Sequence, residues 1–507
     1  MGKLYVFGDA GVQREFFLAK IRSQYAVSRN SAEVEALFRF KEEGKMSTEV
    51  LFKPISIGNV ELKNRIAMSP MNLGYSGPDG YPSDQTYAWY AARAKGGFGL
   101  IITECIVANP QPWRGCDSIN PLSMHNERYH RFHSRLVELI HSYDKTKICA
   151  QISPGWGRQG HPDLDNPMIS AGAPSPVGMK VDLRNLNKGW LKQFKKLAPP
   201  LIEALGDYSE FQKMPDEEYN KFMDQLRKRI AVQMPEMSHT LTGHVPRELE
   251  THEIEGMVDV LVEQICHAFR IGYDAVEIHT PHGYLLHQFL SPLTNHRMDK
   301  YGGSIENRGR VVTEIIERVR AKVGPSPALG CRLSGDELMP GGLSHEEACQ
   351  FVSLFKDAGV NFFNISQGSY ENPAAAFAPD GENGFSQWAP GFKKASGGLP
   401  VICPGFQNPQ TAAEAVRGGN IDIISLGRPS IADPFWPAKA KSGREKDIVK
   451  CARCIQCNMY LMLAKWVTCS VNPTAGFEIY YPELWKTDGL DRKAKKFLEK
   501  CQGLEHI

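Results

Sequence analysis

The sequence predicts an α/β chain folded as a (β/α)8 TIM barrel, and three observations carry that prediction. Eight short apolar runs rich in β-branched residues recur along the chain. They are nearly continuously hydrophobic, as parallel strands buried on both faces are. Helix-period segments fill several of the gaps between them. The runs are RIAMSP (65–70), GLIITEC (99–105), KICAQIS (147–153), AVEIHT (275–280), ALGCRLS (328–334), FFNISQG (362–368), PVICPG (400–405) and IDIISLG (421–427). SIENRGRVVTEIIERVRAKVG, SHEEACQFVSLFKDAGV and NPQTAAEAVRGG read as helices between them. The span from residue 50 to 440 exceeds the ~250 residues typical of such a barrel. The excess falls in residues 178–250, which are polar, charged and mostly helix-forming. They form a helical insertion after strand three, on the face where barrel active sites lie. An open doubly wound sheet is the competing arrangement.

Composition narrows the class. The chain has 507 residues, 42% hydrophobic and 23% charged, with a formal net charge of +2. Nothing in that balance points to nucleic acid or a membrane surface. No apolar run reaches the roughly 18 residues that span a bilayer, and MGKLYVFGDAGVQREFF lacks a signal peptide's apolar stretch and cleavage site. The expectation is a cytoplasmic protein with reduced thiols, in which clustered cysteines bind metal more often than they form disulfides. Four of the 12 cysteines fall in CARCIQCNMYLMLAKWVTC (451–469). Their spacing is C-x2-C-x2-C-x11-C, through Cys451, Cys454, Cys457 and Cys469. Three close, evenly spaced cysteines and a distant fourth suit the corners of a [4Fe–4S] cube. A four-cysteine zinc site usually shows two separated C-x2-C pairs, so the pattern favours the cluster.

The strand ends carry an unusual set of residues. In a barrel they converge on one rim: Pro70, Met71 and Asn72 after strand one, Glu104 and Cys105 at strand two, Gln151 at three. His279, His282 and Tyr284 follow strand four, Arg332 lies in five, Gly405 ends seven, and Gly427 and Arg428 end eight. Glycine-rich ends of strands seven and eight are where many barrels hold a phosphate, and Arg428 adds a bidentate donor.

LFKPISIGNVELKNRIAMSPM (51–71), EIHTPHGYLLHQFLSPLTNHRMDKYGGSIENR (277–308), CRLSGDE (331–337) and SLGRPSIADP (425–434) resemble the Old Yellow Enzyme family. The nearest branch is the iron–sulfur one, with 2,4-dienoyl-CoA reductase, the bile-acid enoate reductases and trimethylamine dehydrogenase. The resemblance covers roughly residues 50 to 475 and implies a barrel with FMN at its mouth. Position by position, it sets Pro70, Met71, Asn72 and Cys105 against the flavin. Gln151 falls at the pyrimidine end, Arg332 near N1 and O2, and Gly405, Gly427 and Arg428 at the phosphate. It makes His279 and His282 the pair that grips a substrate carbonyl, and Tyr284 the proton donor. Tyr370 stands where the dienoyl-CoA branch has an assisting histidine. Val471, Asn472 and Pro473 follow Cys469 as in the iron–sulfur branch. That branch more often has three residues between its second and third cysteines; alignment on CIQCN puts Leu461 at a ligand position, for which Cys451 must substitute.

The resemblance implies an ene-reductase of the EC 1.3 class that reduces the C=C bond of an α,β-unsaturated carbonyl compound. The helical lid suggests a bulky enone such as a steroid or bile acid, or an enoyl-CoA, although its apolar stripes could equally pack on the barrel. An amine dehydrogenase is one alternative; Asn72, where trimethylamine dehydrogenase has the cysteine bonded to its flavin, counts against it. A non-catalytic electron-transfer flavoprotein is the other, and Tyr284 with both histidines counts against that. Residues 446–507 carry no G-x-G-x-x-G, so built-in FAD and NAD(P)H modules are expected to be absent. Electrons ultimately from NAD(P)H would then come through a separate ferredoxin, flavodoxin or reductase, the more natural route beside a cluster, or NAD(P)H would reduce the FMN directly. The expected organisation is a helical extension (1–45), the FMN barrel (46–445) and the cluster segment with its tail (446–507). The extension reads as a packing or homo-oligomer arm, or as an upstream start.

Overall fold

The computed structural model describes residues 48–77, 79–108, 121–160, 171–233, 245–377, 381–463 and 465–486. The expected N-terminal helical extension and the last residues of the tail lie outside them.

Eight parallel strands close a barrel: β1 (Ile66–Met68), β2 (Leu100–Val107), β3 (Lys147–Ser153), β4 (Ala275–His279), β5 (Ala328–Ser334), β6 (Phe362–Ser366), β7 (Val401–Pro404) and β8 (Ile423–Leu426). Each pairs with its chain neighbour, and β8 returns to β1 through Ile424 opposite Ile66 and Leu426 opposite Met68. All eight coincide with the apolar runs, because a strand covered by helices outside and packed side chains inside has no polar face to alternate with. The open-sheet alternative is thereby excluded. The barrel's lower end is filled by the leading residues Leu100, Ala275, Ala328 and Phe362, together with an antiparallel hairpin (Ile55–Ile57 and Val60–Leu62). Gly330 leaves the room there, since a Cβ on it would lie 2.3 Å from the Phe362 ring.

The helices between strands begin at predictable signals. Ser83 and Ser344 each close a capping box on the helices Asp84–Lys95 and His345–Ala358, which satisfies backbone N–H groups that lack an intrahelical partner. Gly359, at φ 120, ends the second in the left-handed conformation that glycine adopts without a Cβ penalty.

The insertion after β3 is helical, as expected: Lys188–Leu197, Pro199–Leu205 and Asp216–Gln233. The first two are separate because Pro199 has no N–H to continue the ladder. Their apolar stripes build a second core from Trp190, Phe194, Leu201, Met223 and Leu226, and this core also takes in Ile455, Met459 and Leu463. Those last three belong to the cysteine segment, whose short helix spans Gln456–Met462. Each such burial is worth about 1.5 to 3 kcal/mol. The segment's far end is tied to the barrel. Glu478 and Arg93 form an ion pair at 2.7 Å with neither side chain exposed, and Gln85 and the Gly476 N–H also donate to Glu478.

Candidate active site

The strand ends surround a cavity of about 310 Å³. It is lined by every residue carried over to the flavin or substrate: Pro70, Met71, Asn72, Cys105, Gln151, His279, His282, Tyr284, Arg332, Tyr370, Gly405, Gly427 and Arg428. Cys451 and Cys457 also reach its wall, whereas Cys454 and Cys469 do not.

Local folding explains several placements. The β2–β3 register slips between Ile102 and Cys105, and such a bulge re-aims the side chains that follow it. Gln151 is oriented from below: its Nε2 donates to Glu277 at 2.7 Å, and Asn364 donates to the other oxygen of the same carboxylate at 2.8 Å. Burial raises the Glu277 carboxyl, with Arg332 pulling it back. His282 sits at φ 68, in the left-handed region that costs a non-glycine residue about 1 to 2 kcal/mol. It is held there by a bridge to Ser369 and by Gln159 donating to its carbonyl at 3.0 Å.

The two imidazoles differ. One ring nitrogen of His282 is hydrogen-bonded to Ser366, which also accepts from Arg332 at 3.3 Å. His279 is 2% exposed, and neither of its ring nitrogens has a hydrogen-bond partner among the described residues. Their rings stand 5.6 Å apart. Burial first, then the Arg332 charge, lowers both well below the usual histidine range. Both are therefore neutral near pH 7, and each can present one N–H.

Beside them, the hydroxyls of Tyr284 and Tyr370 are hydrogen-bonded at 2.6 Å. The Tyr284 ring lies 5.1 Å from that of His279 and 4.7 Å from that of Trp156. Burial, and after it Tyr370, raises the Tyr284 phenol well above its ordinary value, so it keeps its proton. Tyr370 is placed by its neighbours. Ser369 Oγ donates to Glu371 at 3.0 Å, and Glu371 forms an ion pair with Arg158, with side chains 2% and 1% exposed. Glu371 also accepts the Asp182 N–H on its backbone, linking the loop after β6 to the insertion.

Glu277, Ser366 and the Arg158–Glu371 pair are functional candidates that the strand-end reading passed over. Glu277 had a signal, a carboxylate inside an otherwise apolar buried run. Arg158 and Glu371 had none, because they lie far apart in sequence and meet only in the folded chain.

Cys451, Cys454 and Cys469 all lie near Cys457. Cys454 contacts Ser470 at 3.0 Å. Among the described residues, no three His, Cys, Asp or Glu side chains gather as a single metal ion requires. A four-iron cube holds its thiolates farther apart than one ion does. Leu461 packs within 3.3 Å of the Cβ position of Gly74.

A parallel barrel with this mouth defines a class of cofactor-binding barrel enzymes, and comparison with known proteins makes the class specific. Residues 50–196 and 202–447 match the NADH:flavin oxidoreductase / NADH oxidase family, and the chain belongs to it. It is 33% identical over 442 residues to the NADH oxidase of Thermoanaerobacter brockii, covering 86% of this chain and 57% of the relative. It is 28% identical over 460 residues to the cinnamate reductase of Clostridium sporogenes, covering 85% and 59%. Among solved structures, 2-naphthoyl-CoA reductase in complex with 2-naphthoyl-CoA superposes with a TM-score of 0.68 at 26% identity, covering 85% of this chain and 58% of that one. The chain thus spans between half and three fifths of the length of these relatives. Among the described residues, no helix is long and apolar enough to cross a membrane.

The cavity fits FMN, the cofactor this family implies. The His279 ring nitrogens and Arg332 Nε are buried polar groups without hydrogen-bond partners among the described residues. Gly405 sits at φ 109, and a Cβ on it would crowd Phe385 at 3.1 Å. A Cβ on Gly427 would meet Met71 Sδ at 3.5 Å. A side chain at Gly405 would thus fill space at the rim that the glycine leaves open.

Proposed function

We propose that the protein reduces the C=C bond of an α,β-unsaturated carbonyl compound. The observation that carries this is the convergence of two neutral imidazoles and a protonated tyrosine pair on one cavity. Gln151, Arg332, Arg428 and the residues around Met71 would hold FMN, which would supply a hydride for the β carbon.

The chain's own residues do the rest. His279 and His282 donate hydrogen bonds to the substrate carbonyl oxygen, where negative charge grows as the β carbon is reduced. A preorganised donor of this kind is worth about 2.7 to 4 kcal/mol. Ser366 fixes the His282 ring, and burial, with the Arg332 charge after it, keeps both rings neutral. Tyr284 gives its proton to the α carbon, a general-acid contribution of about 10² to 10⁴. Tyr370 holds the Tyr284 hydroxyl in place, and Trp156 excludes water from one side.

In the same reading Cys451, Cys454, Cys457 and Cys469 hold a [4Fe–4S] cluster, with Cys451 taking the corner that Leu461 cannot fill. Electrons derive ultimately from NAD(P)H. The relatives include a cinnamate reductase and a naphthoyl-CoA reductase, so an unsaturated acid or thioester is the first substrate class to try. The insertion no longer argues for a bulky apolar substrate, because its apolar stripes are used in their own core.

The test is an anaerobic preparation analysed for flavin, iron and sulfide, then reduced and mixed with cinnamate, enoyl-CoA and 3-keto-4-ene steroids. One substrate class should reoxidise the flavin. Tyr284→Phe should slow that step about 10² to 10⁴ while leaving cofactor content unchanged. A preparation holding both cofactors that no unsaturated carbonyl reoxidises would sink the proposal.

A further inference from the structure

We propose that the insertion after β3 serves the reaction from outside the cavity, as the frame that holds the Tyr370 hydroxyl on that of Tyr284, with Arg158 and Tyr219 as positioning residues. This rests on the reading above, in which Tyr284 is the proton donor.

The chemistry asks for such a frame. As the Tyr284 O–H bond breaks and the α C–H bond forms, negative charge appears on the phenolate oxygen. Water returns the proton once the product has left. A hydroxyl that donates to that oxygen stabilises the charge, because hydrogen bonds to an ionised acceptor are about twice as strong as neutral ones. The Tyr370 hydroxyl is so placed, 2.6 Å away. Tyr370 stands on the loop after β6 and Tyr284 on the loop after β4, so neither strand alone sets their distance.

The insertion reaches Tyr370 in two ways. The Tyr370 ring packs on two clusters at once, the one that holds Tyr284 and Trp156 and the insertion's own core. Next to it, the Asp182 N–H donates to the Glu371 carbonyl at 2.8 Å. Asp182 is fixed in turn from the far side. The Tyr219 hydroxyl, on the helix Asp216–Gln233, donates to the Val181 carbonyl at 2.9 Å and accepts the Leu183 N–H at 2.8 Å. One buried side chain that does not line the cavity thus holds both neighbours of Asp182.

Arg158 joins the two tyrosine segments. Its guanidinium donates to the Gly178 carbonyl at 3.3 Å, where the insertion begins, and pairs with Glu371 beside Tyr370. Its backbone N–H donates to Gln288 at 3.1 Å, and Gln288 donates to the Gly283 carbonyl at 2.7 Å, next to Tyr284. Glu371 also accepts from Ser369, which bridges to His282. A buried ion pair adds little net stability over apolar packing of the same volume. What this one adds is a fixed geometry for both hydroxyls.

The experiment uses the full chain with its cofactors and two variants outside the reacting groups, Tyr219→Phe and Arg158→Met/Glu371→Leu, compared with wild type at equal flavin and iron content. The first readout needs no turnover. With 3-fluorotyrosine at position 370, the fluorine resonance is recorded in wild type, in both variants and in Tyr284→Phe, which sets the position for a lost hydroxyl contact. Both variants should move toward that position. The second readout is reduction of an unsaturated carbonyl compound in deuterated water. Wild type should place deuterium on one face of the α carbon. Both variants should lose that selectivity and slow flavin reoxidation about 10²-fold, with KM unchanged. A wild-type resonance in either variant, or a moved resonance with one-face deuteration at the wild-type rate, would overturn the proposal. Failure of wild type to reduce any unsaturated carbonyl compound would count instead against the ene-reductase reading, and the fluorine resonance would still decide whether the insertion holds the hydroxyl pair.

Discussion

Replacing Glu104 by Gln should stabilise the protein at neutral pH. The Glu104 side chain is fully buried; among the described residues its Oε2 accepts only the Leu73 N–H, at 3.2 Å, and its Oε1 has no partner. Burial pushes its carboxyl up to about 8, against a single backbone hydrogen bond that pulls it down. In the unfolded chain the same group titrates near its ordinary value of 4.5. Below that pH both states hold the proton, and the group is neutral to stability. Between 4.5 and 8 the folded state keeps a proton that the unfolded state releases, so stability falls as pH rises. At about 1.4 kcal/mol per unit, the cost is roughly 3 kcal/mol at pH 7 and roughly 5 above pH 8. Gln keeps the shape and stays neutral throughout. Urea unfolding of both proteins, followed by flavin fluorescence and circular dichroism at intervals from pH 5 to 8.5, measures the difference. The two should be close at pH 5 and diverge as pH rises, with the variant higher. Parallel pH profiles would refute the reasoning, since they would mean that Glu104 ionises freely in the folded chain.

Four further outcomes are expected. His279→Ala should lower the rate of enone reduction about 10² to 10³, with flavin reduction by dithionite unchanged in stopped-flow traces. Arg158→Met should cost about 3 to 5 kcal/mol in unfolding free energy by stranding the Glu371 charge, and Arg158→Met/Glu371→Leu should recover much of it. Cys451→Ser should lower bound iron and sulfide, measured chemically on anaerobic protein, if Cys451 fills the corner left by Leu461. Gly405→Val should release FMN on gel filtration while circular dichroism stays native, because the side chain meets Phe385 and the left-handed backbone disfavours it.

Periodicity was enough for the barrel because its strands are buried on both faces. Ile66, Ile101, Ile278 and Ile424 sit in runs with no polar alternation, and each run became a strand. The rim was also legible, since strand ends in a closed barrel must converge; Gln151, His279 and Arg332 needed only their places in three runs. What escaped was pairing across the chain. The Gln151–Glu277–Asn364 triad, the Tyr284–Tyr370 contact and the Arg158–Glu371 ion pair each join loops or strands whose distance in sequence conceals their contact. The insertion stayed open to two readings for a similar reason. A stripe such as Trp190, Phe194 and Leu201 announces that something apolar covers it, not what, and the cover includes Met459 from the cysteine helix.

That shared core has a consequence for how such a protein diversifies. Trp190 and Phe194 on one excursion from the barrel interlock with Ile455, Met459 and Leu463 on the other. A recombination that exchanged the loop after β3 alone would leave three apolar residues beside the cysteines facing water. The heritable module is therefore split in two along the gene, and a successful graft must carry both halves. Evolution of the insertion is chained to evolution of the cysteine helix, so neither can easily be changed alone.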